Sequence, residues 1–370
     1  WWGAVFLFAR PLAVVVIVLA LKVLPAHAGE EDSPVDNIGG VLSVIGVACL
    51  IMGIQTLPNG FSATMGVLFA VAAISIALFF WRQTRAPRPL VDLQAASAPS
   101  FWVAAVAGTI TFGSLMGALF LGSQFTQHVL GYDALKAALV TLPMSLALMV
   151  VSPLAGKMVA SKGSRFTLAI GLIVVAIGFV VMVVTWRSGA GIGVVLLAYA
   201  IVGGGVGICA TPAAHALMAS LPVSRAGMGS AFTDLTRDFG GAIMQAVMGT
   251  VLAIVYANYF TKAFASLPPQ EAANLSDEAA QQIVGSYQGA EAVAASYPQA
   301  PAAQLTAAAD KAFTEGKSVA YVLALVLTLF ALGFVWWNYP RKDDERAFFR
   351  KMEEQSRAEE AAAANAAGAQ

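Results

Sequence analysis

The sequence predicts an all-α integral membrane protein with about nine transmembrane helices. Hydrophobic residues make up 58% of the 370 residues and charged residues only 11%, whereas charged residues are about a quarter of a typical soluble domain. The apolar residues occur in long runs that lack the period-two alternation of a barrel strand. Because backbone groups in lipid must be satisfied within their own segment, we expect these runs to be helices.

Each apolar run is long enough to cross a bilayer. A helix rises about 1.5 Å per residue, so a run of about 20 residues spans the roughly 30 Å hydrocarbon core. The charged residues lie mainly between the runs. The predicted spans are residues 3–24, 38–57, 63–81, 102–124, 134–155, 166–186, 190–217, 229–257 and 318–338.

Basic residues predict the orientation of the spans, because Lys and Arg in short loops are retained on the cytoplasmic side. With the first residue outside, fourteen of the 21 basic residues lie inside, six lie outside and Arg237 lies in a span. We therefore expect a multi-pass protein of the cell inner (plasma) membrane with a cytoplasmic C-terminus. The fourteen are Lys22, Arg82, Arg85, Arg88, Lys157, Lys162, Arg165, Arg225, Arg341, Lys342, Arg346, Arg350, Lys351 and Arg357.

A long polar segment precedes the last predicted span. Residues 259–317 are predicted as an outer loop with six acidic residues and three lysines. Within it, Ser276, Asp277 and Glu278 resemble a helix start with acids in the first turn. The open interpretations are a solvated loop with short helices, and a gating cap or partner site.

The tail after the last span is charged and then rich in alanine. Pairs at i,i+4 spacing, such as Arg350 with Glu354 and Glu353 with Arg357, favour a helix. Neighbouring aromatic residues make this helix amphipathic. We expect an interfacial helix that fades into a disordered end.

Several motifs occur in a characteristic order. Trp2, Phe6 and Pro11 mark the first span, and Asp36 opens a glycine-spaced span. The most specific motif is residues 127–139, Gln-His-Val-Leu-Gly-Tyr-Asp-Ala-Leu-Lys-Ala-Ala-Leu, followed by Leu-Pro. Over residues 1–338 this order resembles the 14-span drug:proton antiporter branch of the major facilitator superfamily, starting at that family's sixth span.

The segment between the fifth and sixth predicted spans is similar to the superfamily's cytoplasmic loop motif, G-x-x-x-D-x-x-G-x-(R/K). Gly156, Lys157, Gly163 and Arg165 occupy motif positions, but Ala160 stands where the motif has its acid. Two interpretations remain: a charged latch of the inner gate, or a plain basic anchor that fixes topology.

The resemblance implies a domain arrangement. Residues 1–24 would be the last helix of an N-terminal bundle, 25–95 two extra linker helices, 96–338 a C-terminal six-helix bundle and 339–370 a cytoplasmic tail. An odd span count and a start at Trp1 without Met lead us to expect a fragment that lacks five spans. In this family the proton-coupling residues lie mostly in the N-terminal bundle, so the chain alone is not expected to transport.

Asp234, Arg237 and Asp238 form a cluster of ionisable residues within a predicted span. Their i,i+3 and i,i+4 spacing places them on one helix face, and each costs about 2.5–3.5 kcal/mol to insert. Three interpretations are open: a hydrated cluster that pins the span, a salt-bridged gate, or proton exchange at Asp234. His215 is a packing residue or a titratable group.

Polar and adaptable apolar residues on the fourth span are candidates for lining a substrate site, because Met surfaces adapt to varied shapes. Gly203 and Gly207, with Pro212 beyond them, are candidates for close packing or for a hinge. The candidate lining residues are Thr111, Phe112, Met116, Phe120, Ser123, Gln124 and Gln127.

Other classes of function lack support in the sequence. It has no Walker pattern, nucleophile elbow or metal-ligand spacing, and we expect no enzyme activity, cofactor, metal or disulfide, since Cys49 and Cys209 both lie in spans. A net charge of zero gives no argument for nucleic acid. The resemblance implies proton-coupled efflux of drug-like or amphipathic molecules by alternating access, with small-molecule substrate, protons and membrane lipids as partners. The alternatives are a non-transporting scaffold, an exporter of an endogenous metabolite or lipid, and a membrane enzyme.

Overall fold

The computed structural model describes the backbone of residues 3–23, 36–60, 62–86, 90–91, 97–221, 226–265 and 276–368. A 3₁₀ turn follows α2 at Leu57–Asn59, and a π-helical turn continues α4 at Phe125–Val129. The α-helices of these described ranges are α1 (Ala4–Val23), α2 (Asn37–Thr56), α3 (Ala63–Gln83), α4 (Pro99–Gln124), α5 (Ala134–Lys162), α6 (Ser164–Thr185), α7 (Ile192–Ala219), α8 (Ala226–Ala265), α9 (Asp277–Gly285), α10 (Tyr287–Ala294), α11 (Gln299–Asn338) and α12 (Lys342–Gly368).

The helix α1 belongs to a unit of its own, residues 1–35. Its 20 residues include Pro11 in the interior and Lys22 in the last turn. A helix of this length is about 30 Å long, which matches the hydrocarbon core of a bilayer. It coincides with the first predicted span.

Eight other described helices are long and apolar enough to cross a membrane, namely α2 to α8 and α11. They correspond to the remaining eight predicted spans. Many of their large apolar side chains are exposed, including Leu135 (70%) and Met149 (64%). Such an extensive exposed apolar surface is unfavourable in water and suits contact with lipid. The prediction of an all-helical membrane fold is confirmed.

α2 and α3 form an antiparallel pair that packs through small residues, with Gly46 against Ile76 and Gly53 against Phe69. Asp36 fixes one end of the pair. Its carboxylate accepts hydrogen bonds from the Gly39 amide (3.1 Å) and the Arg82 guanidinium (2.7 Å). The Gly39 amide first, and Arg82 second, hold the pKa of Asp36 below its ordinary value.

Six helices form the main bundle. α5 packs along α7, α7 along α6, and α4 along α8, while α11 contacts α4, α6 and α8. The Thr250 hydroxyl of α8 donates to the Ile54 carbonyl of α2 (3.0 Å), which joins the α2–α3 pair to the bundle. One end of the bundle carries α9 and α10, and we call it the cap end. The other end carries α12, and we call it the tail end.

The predicted outer loop, residues 259–317, is largely helical in the described ranges. α8 continues to Ala265, α9 and α10 follow, and α11 begins at Gln299 rather than at residue 318. The predicted helix start at Ser276 is confirmed, because its hydroxyl accepts from the Ala279 amide (3.2 Å). Hydropathy marks only the lipid boundary, whereas helical propensity in the Ala-rich sequence extends α11 beyond that boundary.

The short helices are packed against the bundle. Ile283, Tyr287, Ala290 and Val293 are buried in the same apolar core as Phe260 of α8. We call residues 276–298, which contain α9 and α10, the two-helix cap. The cap therefore packs into the apolar core of the bundle.

The tail forms the helix α12, as its charge spacing predicts. The Glu353–Arg357 pair is present at 2.6 Å. The first turns of α12 contact the tail end of the bundle through Glu345, whose side chain is buried. The tail is thus attached to the bundle, and its helix continues to Gly368, so the prediction of a disordered Ala-rich end was wrong over the described residues.

Candidate functional site

A cavity of about 420 Å³ opens between α4, α5 and α8 near the cap end. This volume lies within the range of small-molecule sites, roughly 300–1,000 Å³. Its walls are mainly apolar, and its polar groups are uncharged. The lining residues are Met116, Leu119, Phe120, Ser123, Gln127, Ala134, Ala137, Ala138, Thr141 and Gln245.

The chemistry of this lining suits an amphipathic molecule. Phe120 and Met116 offer a flat ring and a flexible thioether, which adapt to apolar ligands of different shapes. Ser123, Thr141 and Gln245 offer hydroxyl and amide groups that both donate and accept hydrogen bonds. A ligand would be held here by burial and hydrogen bonds, not by an ion pair with the lining.

A π-helical turn forms one edge of the cavity. α4 continues into Phe125–Val129, where the Leu130 amide donates to the Phe125 carbonyl (3.2 Å). Gly131 then adopts a positive φ of 64°, a conformation that glycine tolerates best. The turn carries Gln127 at the cavity edge. π-helical turns are frequent at functional sites, and the specific motif at residues 127–139 falls here.

Glycines allow α4 and α8 to approach closely beside the cavity. A Cβ on Gly113 would lie 2.7 Å from the Gly240 carbonyl oxygen, and one on Gly117 would contact the Met248 sulfur. Such contacts leave no room for a larger residue. The close approach of the two helices brings Gln245 of α8 beside the α4 lining residues.

Four of the seven predicted lining residues lie in the cavity wall, namely Met116, Phe120, Ser123 and Gln127. Phe112 lies a turn earlier on α4 and is half-buried, while Thr111 is fully buried in the bundle. Gln124 is half-buried outside the lining.

Sequence reasoning missed Thr141 and Gln245, which come from α5 and α8. Neither residue carries a charge or a motif. Polar residues within apolar runs are the signal that would have found them, because a polar group in lipid requires a partner or a cavity.

The ionisable cluster on α8 lies away from the cavity. Arg237 bonds to Asp234 at 2.9 Å and to Asp238 at 3.4 Å, and all three side chains are about half or more exposed. Gln245 is eight residues further along α8, or about 12 Å. The structure brings the three charges together as the spacing indicated, but not into the cavity.

His215 lies at the tail end and is exposed. Its ring packs edge-on against Phe349 of α12 at 5.4 Å. Among the described residues, its ring contact is thus with the tail and neither with the Asp234 cluster nor with the cavity lining. Its neighbour on this side is the tail.

Gly203 and Gly207 face the backbone of α5. A Cβ on Gly203 would collide with the Met144 carbonyl, and one on Gly207 would lie 2.8 Å from the Leu148 carbonyl oxygen. α7 runs from Ile192 to Ala219 through Pro212 without a break. These contacts favour the packing interpretation of the glycines over the hinge.

The loop motif forms the turn between α5 and α6, with Gly163 at a φ of 86°. Gly156 is half-buried and Lys157 exposed. The side chain of Arg165 donates to the Trp336 carbonyl and lies 4.9 Å from the centre of the Trp336 ring. Arg165 therefore anchors α6 to the end of α11.

The first turns of α12 hold the same turn from the other side. Lys342 donates to the Ser161 carbonyl and Arg346 to the Ala160 carbonyl, both at 2.6 Å. Glu345 accepts from the Ser164 amide (3.1 Å) and from the Tyr339 hydroxyl (2.9 Å). Cations thus meet the C-terminal end of α5, and an anion meets the N-terminal end of α6, as the helix dipoles favour.

Burial and the neighbouring Glu345 charge raise the pKa of Tyr339 above its ordinary value. Its hydroxyl therefore stays protonated and can donate to Glu345. The loop motif lacks its acid at Ala160, and the carboxylate that the structure places at this turn is that of Glu345, 185 positions later in the sequence. No local pattern could have indicated this contact.

The fold and the cavity define a multi-pass helical membrane protein with a small-molecule-sized site. The family profile described as Major Facilitator Superfamily matches residues 1–245, more than half of the chain. The chain therefore belongs to the major facilitator superfamily, a family of transporters and not of enzymes. The resemblance seen in the motifs is confirmed at this level.

Known proteins similar to the chain carry names of efflux pumps. It is 32% identical over 339 residues to the multidrug efflux pump LfrA of Mycolicibacterium smegmatis, which covers 90% of the chain and 64% of LfrA. It is 31% identical to the multidrug resistance protein Stp of Mycobacterium tuberculosis, over 68% of the chain and 47% of Stp. Against the drug efflux pump JefA of that organism, identity is 28% over 92% of the chain and 68% of JefA. The chain thus spans about half to two thirds of these relatives.

Proposed function

We propose that this protein exports amphipathic, drug-like small molecules by alternating access, and that the α4–α5–α8 cavity forms part of the binding site. The observation that carries the proposal is the cavity itself, with apolar walls and only uncharged polar groups. Its chemistry agrees with the efflux function named for LfrA and JefA. Rocking of two bundles around such a site is how transporters of this kind expose a substrate to either side.

We further propose that the tail end faces the cytoplasm and that export is driven by proton entry. The excess of basic residues in the loops and tail on that side supports this orientation. The Arg237 pairs with Asp234 and Asp238 are the proposed gate contacts at the tail end of α8. Asp234 is the proposed proton-exchanging group of this cluster.

The binding-site proposal is tested by truncating the cavity wall in the protein expressed from its complete gene. Phe120→Ala and Gln245→Leu each remove one contact to a bound ligand. Each substitution should weaken the binding free energy of the ligand by about 1–2 kcal/mol, which corresponds to a roughly five- to thirtyfold higher apparent KM. Export of the uncharged dye Nile red from everted vesicles measures it.

Leu135→Ala is the matched control, because Leu135 lies on α5 beside the cavity residues but is 70% exposed towards lipid. It should leave the KM for Nile red unchanged. Cavity variants that export Nile red with the kinetics of the unchanged protein would contradict the proposed site.

Proton coupling is tested in the same vesicles with an ionophore that collapses the pH gradient. Nile red export is expected to stop within the time of gradient collapse and to resume when an imposed pH jump restores it. A potassium diffusion potential without a pH gradient is the control. Continued export without any proton gradient would refute antiport while leaving the cavity proposal intact.

A further inference from the structure

Lys317 is a buried lysine at the cap end of the bundle. Its side chain is 0% exposed, and it lies on α11 in a region that the sequence analysis placed in an outer loop. Its ammonium group donates to the Trp186 carbonyl oxygen. Among the residues that the structure describes, no carboxylate lies within ion-pair distance of it.

Aromatic rings take the place of a counter-charge around Lys317. The Nζ atom lies 4.3 Å from the centre of the Phe125 ring, 5.7 Å from Tyr321 and 5.8 Å from Trp186. A cation attracted by ring faces gains most where water is excluded. The Trp186 carbonyl oxygen and the Phe125 ring are the nearest partners of this amino group among the described residues.

The rings are themselves joined in a stack. Phe125 lies parallel to Trp186 with centroids 5.3 Å apart, and Trp186 meets Tyr199 edge-on at 5.1 Å. Phe125 is also the first residue of the π-helical turn that borders the cavity. Lys317 therefore holds the position at which α4 changes into that turn.

A second contact holds the other part of the π-helical turn. The Tyr287 hydroxyl of the two-helix cap lies 3.0 Å from the His128 carbonyl oxygen and 2.7 Å from a carboxylate oxygen of Asp310. The Tyr287 ring also lies 4.8 Å from the His128 ring. The pKa of the Tyr287 hydroxyl is raised, chiefly by burial, so it remains a donor.

Both contacts lead back to α11. Asp310 and Lys317 are seven residues apart, which is two turns of one helix face. Lys317 contacts the start of the π-helical turn at Phe125, and Asp310 lies beside the Tyr287 hydroxyl that also lies against the His128 carbonyl. The cavity residue Gln127 lies between these two held positions.

We propose that Lys317 and Tyr287 are positioning residues for the substrate site: they fix the π-helical turn from α11 and the two-helix cap, and so set the place of Gln127 at the cavity edge. This inference rests on the proposed binding function of the cavity. It assigns the extension of α11 and the cap a role in substrate selectivity. Neither residue touches the cavity itself.

The test uses two variants that remove the polar contact but keep the volume, in the protein expressed from its complete gene. Lys317→Met removes the charge under Phe125, and Tyr287→Phe removes the bond to His128. In each, the KM for Nile red should rise about threefold or more while kcat stays within about twofold. A smaller rise in KM in both variants would overturn the proposal.

Matched controls separate positioning from general damage. Lys311→Met changes an exposed lysine on the same helix, α11. Tyr297→Phe changes a tyrosine of the cap that is 38% exposed. Both should leave KM unchanged. Lys317→Arg, which keeps the cation, should restore at least part of the lost affinity.

A spectroscopic readout keeps the proposal testable if Lys317→Met folds poorly. A nitroxide pair at Gln127→Cys and Ala138→Cys reports the distance across the cavity edge. Tyr287→Phe should broaden this distance distribution, and an unbroadened distribution would refute the positioning role. If instead Phe120→Ala and Gln245→Leu also leave KM unchanged, the cavity proposal itself has failed, which is a separate result.

Discussion

Among the residues that the structure describes, each end of the bundle buries an ionisable side chain that has no ion pair, Glu345 at the tail end and Lys317 at the cap end, and the two are held differently. At the tail end, Glu345 is 3% exposed and accepts hydrogen bonds from a helix N-terminal amide and from Tyr339. At the cap end, Lys317 is surrounded by aromatic rings and one carbonyl.

The difference indicates different roles. Glu345 occupies the position that a helix dipole favours for an anion, and it joins the tail to the turn between α5 and α6. Lys317 has no such helix end and instead supports a π-helical turn beside a cavity. The tail end is therefore expected to govern stability, and the cap end to govern substrate binding.

Gly203→Ala is expected to lower the free energy of unfolding more than the other substitutions, because it disrupts the close contact between α5 and α7. The new Cβ would collide with the Met144 carbonyl, and overpacking of this kind costs about 1–3 kcal/mol. A lower free energy of unfolding, measured by thermal denaturation in detergent, should accompany weaker export.

Gly204→Ala is the matched control on the next residue of α7. A Cβ there meets no atom within 4 Å, and replacing a helical glycine by alanine gains about 0.5–1 kcal/mol. Equal destabilisation by the two substitutions would show that the α5–α7 approach does not depend on Gly203.

Glu345→Gln sharpens the comparison at the tail end. Loss of the carboxylate weakens the contacts to the Ser164 amide and the Tyr339 hydroxyl, which should cost about 1–3 kcal/mol. The melting temperature in detergent should fall, while the KM for Nile red stays as it was. A changed KM with unchanged stability would reverse the roles assigned to the two ends.

Glu353→Gln is the control for Glu345, because it removes a carboxylate from the same helix at an exposed i,i+4 pair (61% exposed). Such pairs contribute about 0.3–0.5 kcal/mol. Its melting temperature should remain close to that of the unchanged protein.

Arg237→Ala should have the smallest effect on stability, below about 1 kcal/mol, because its pairs are exposed. If the cluster is a gate, kcat for export should nevertheless fall by about threefold or more. Arg357→Ala removes a comparable exposed pair on α12 and should change neither quantity. An unchanged kcat in Arg237→Ala would leave only the anchoring interpretation of the cluster.

Much of the fold was predictable from local sequence. The lengths of the apolar runs place eight spans within a few residues of the observed helices at most ends, because hydropathy and helix rise both act locally. The largest exception is α11, which begins at Gln299 instead of residue 318, and α5 and α8 also continue seven and eight residues beyond their predicted ends. The first 19 residues of α11 are too polar to be counted as a span, yet they remain helical and pack against the cap.

The site was predictable only in part. The sequence indicated the lining residues of α4 and its π-helical turn, because they recur on one helix face within an apolar span. They are Met116, Phe120, Ser123 and Gln127. Thr141 and Gln245 belong to helices that reach the cavity only after folding. Lys317 was placed in a loop, since a lysine near the end of a span usually reaches water.

The sequence by itself determined that this chain folds as a bundle of membrane-spanning helices, because apolar runs of that length can satisfy their backbone only as helices in lipid. It also determined the family, through the order of its motifs. Tertiary structure alone decided which uncharged groups meet in a cavity, that Glu345 accepts from the Ser164 amide at the turn between α5 and α6, and that aromatic rings surround Lys317. These contacts join residues tens to hundreds of positions apart, and only packing brings them within reach of one another.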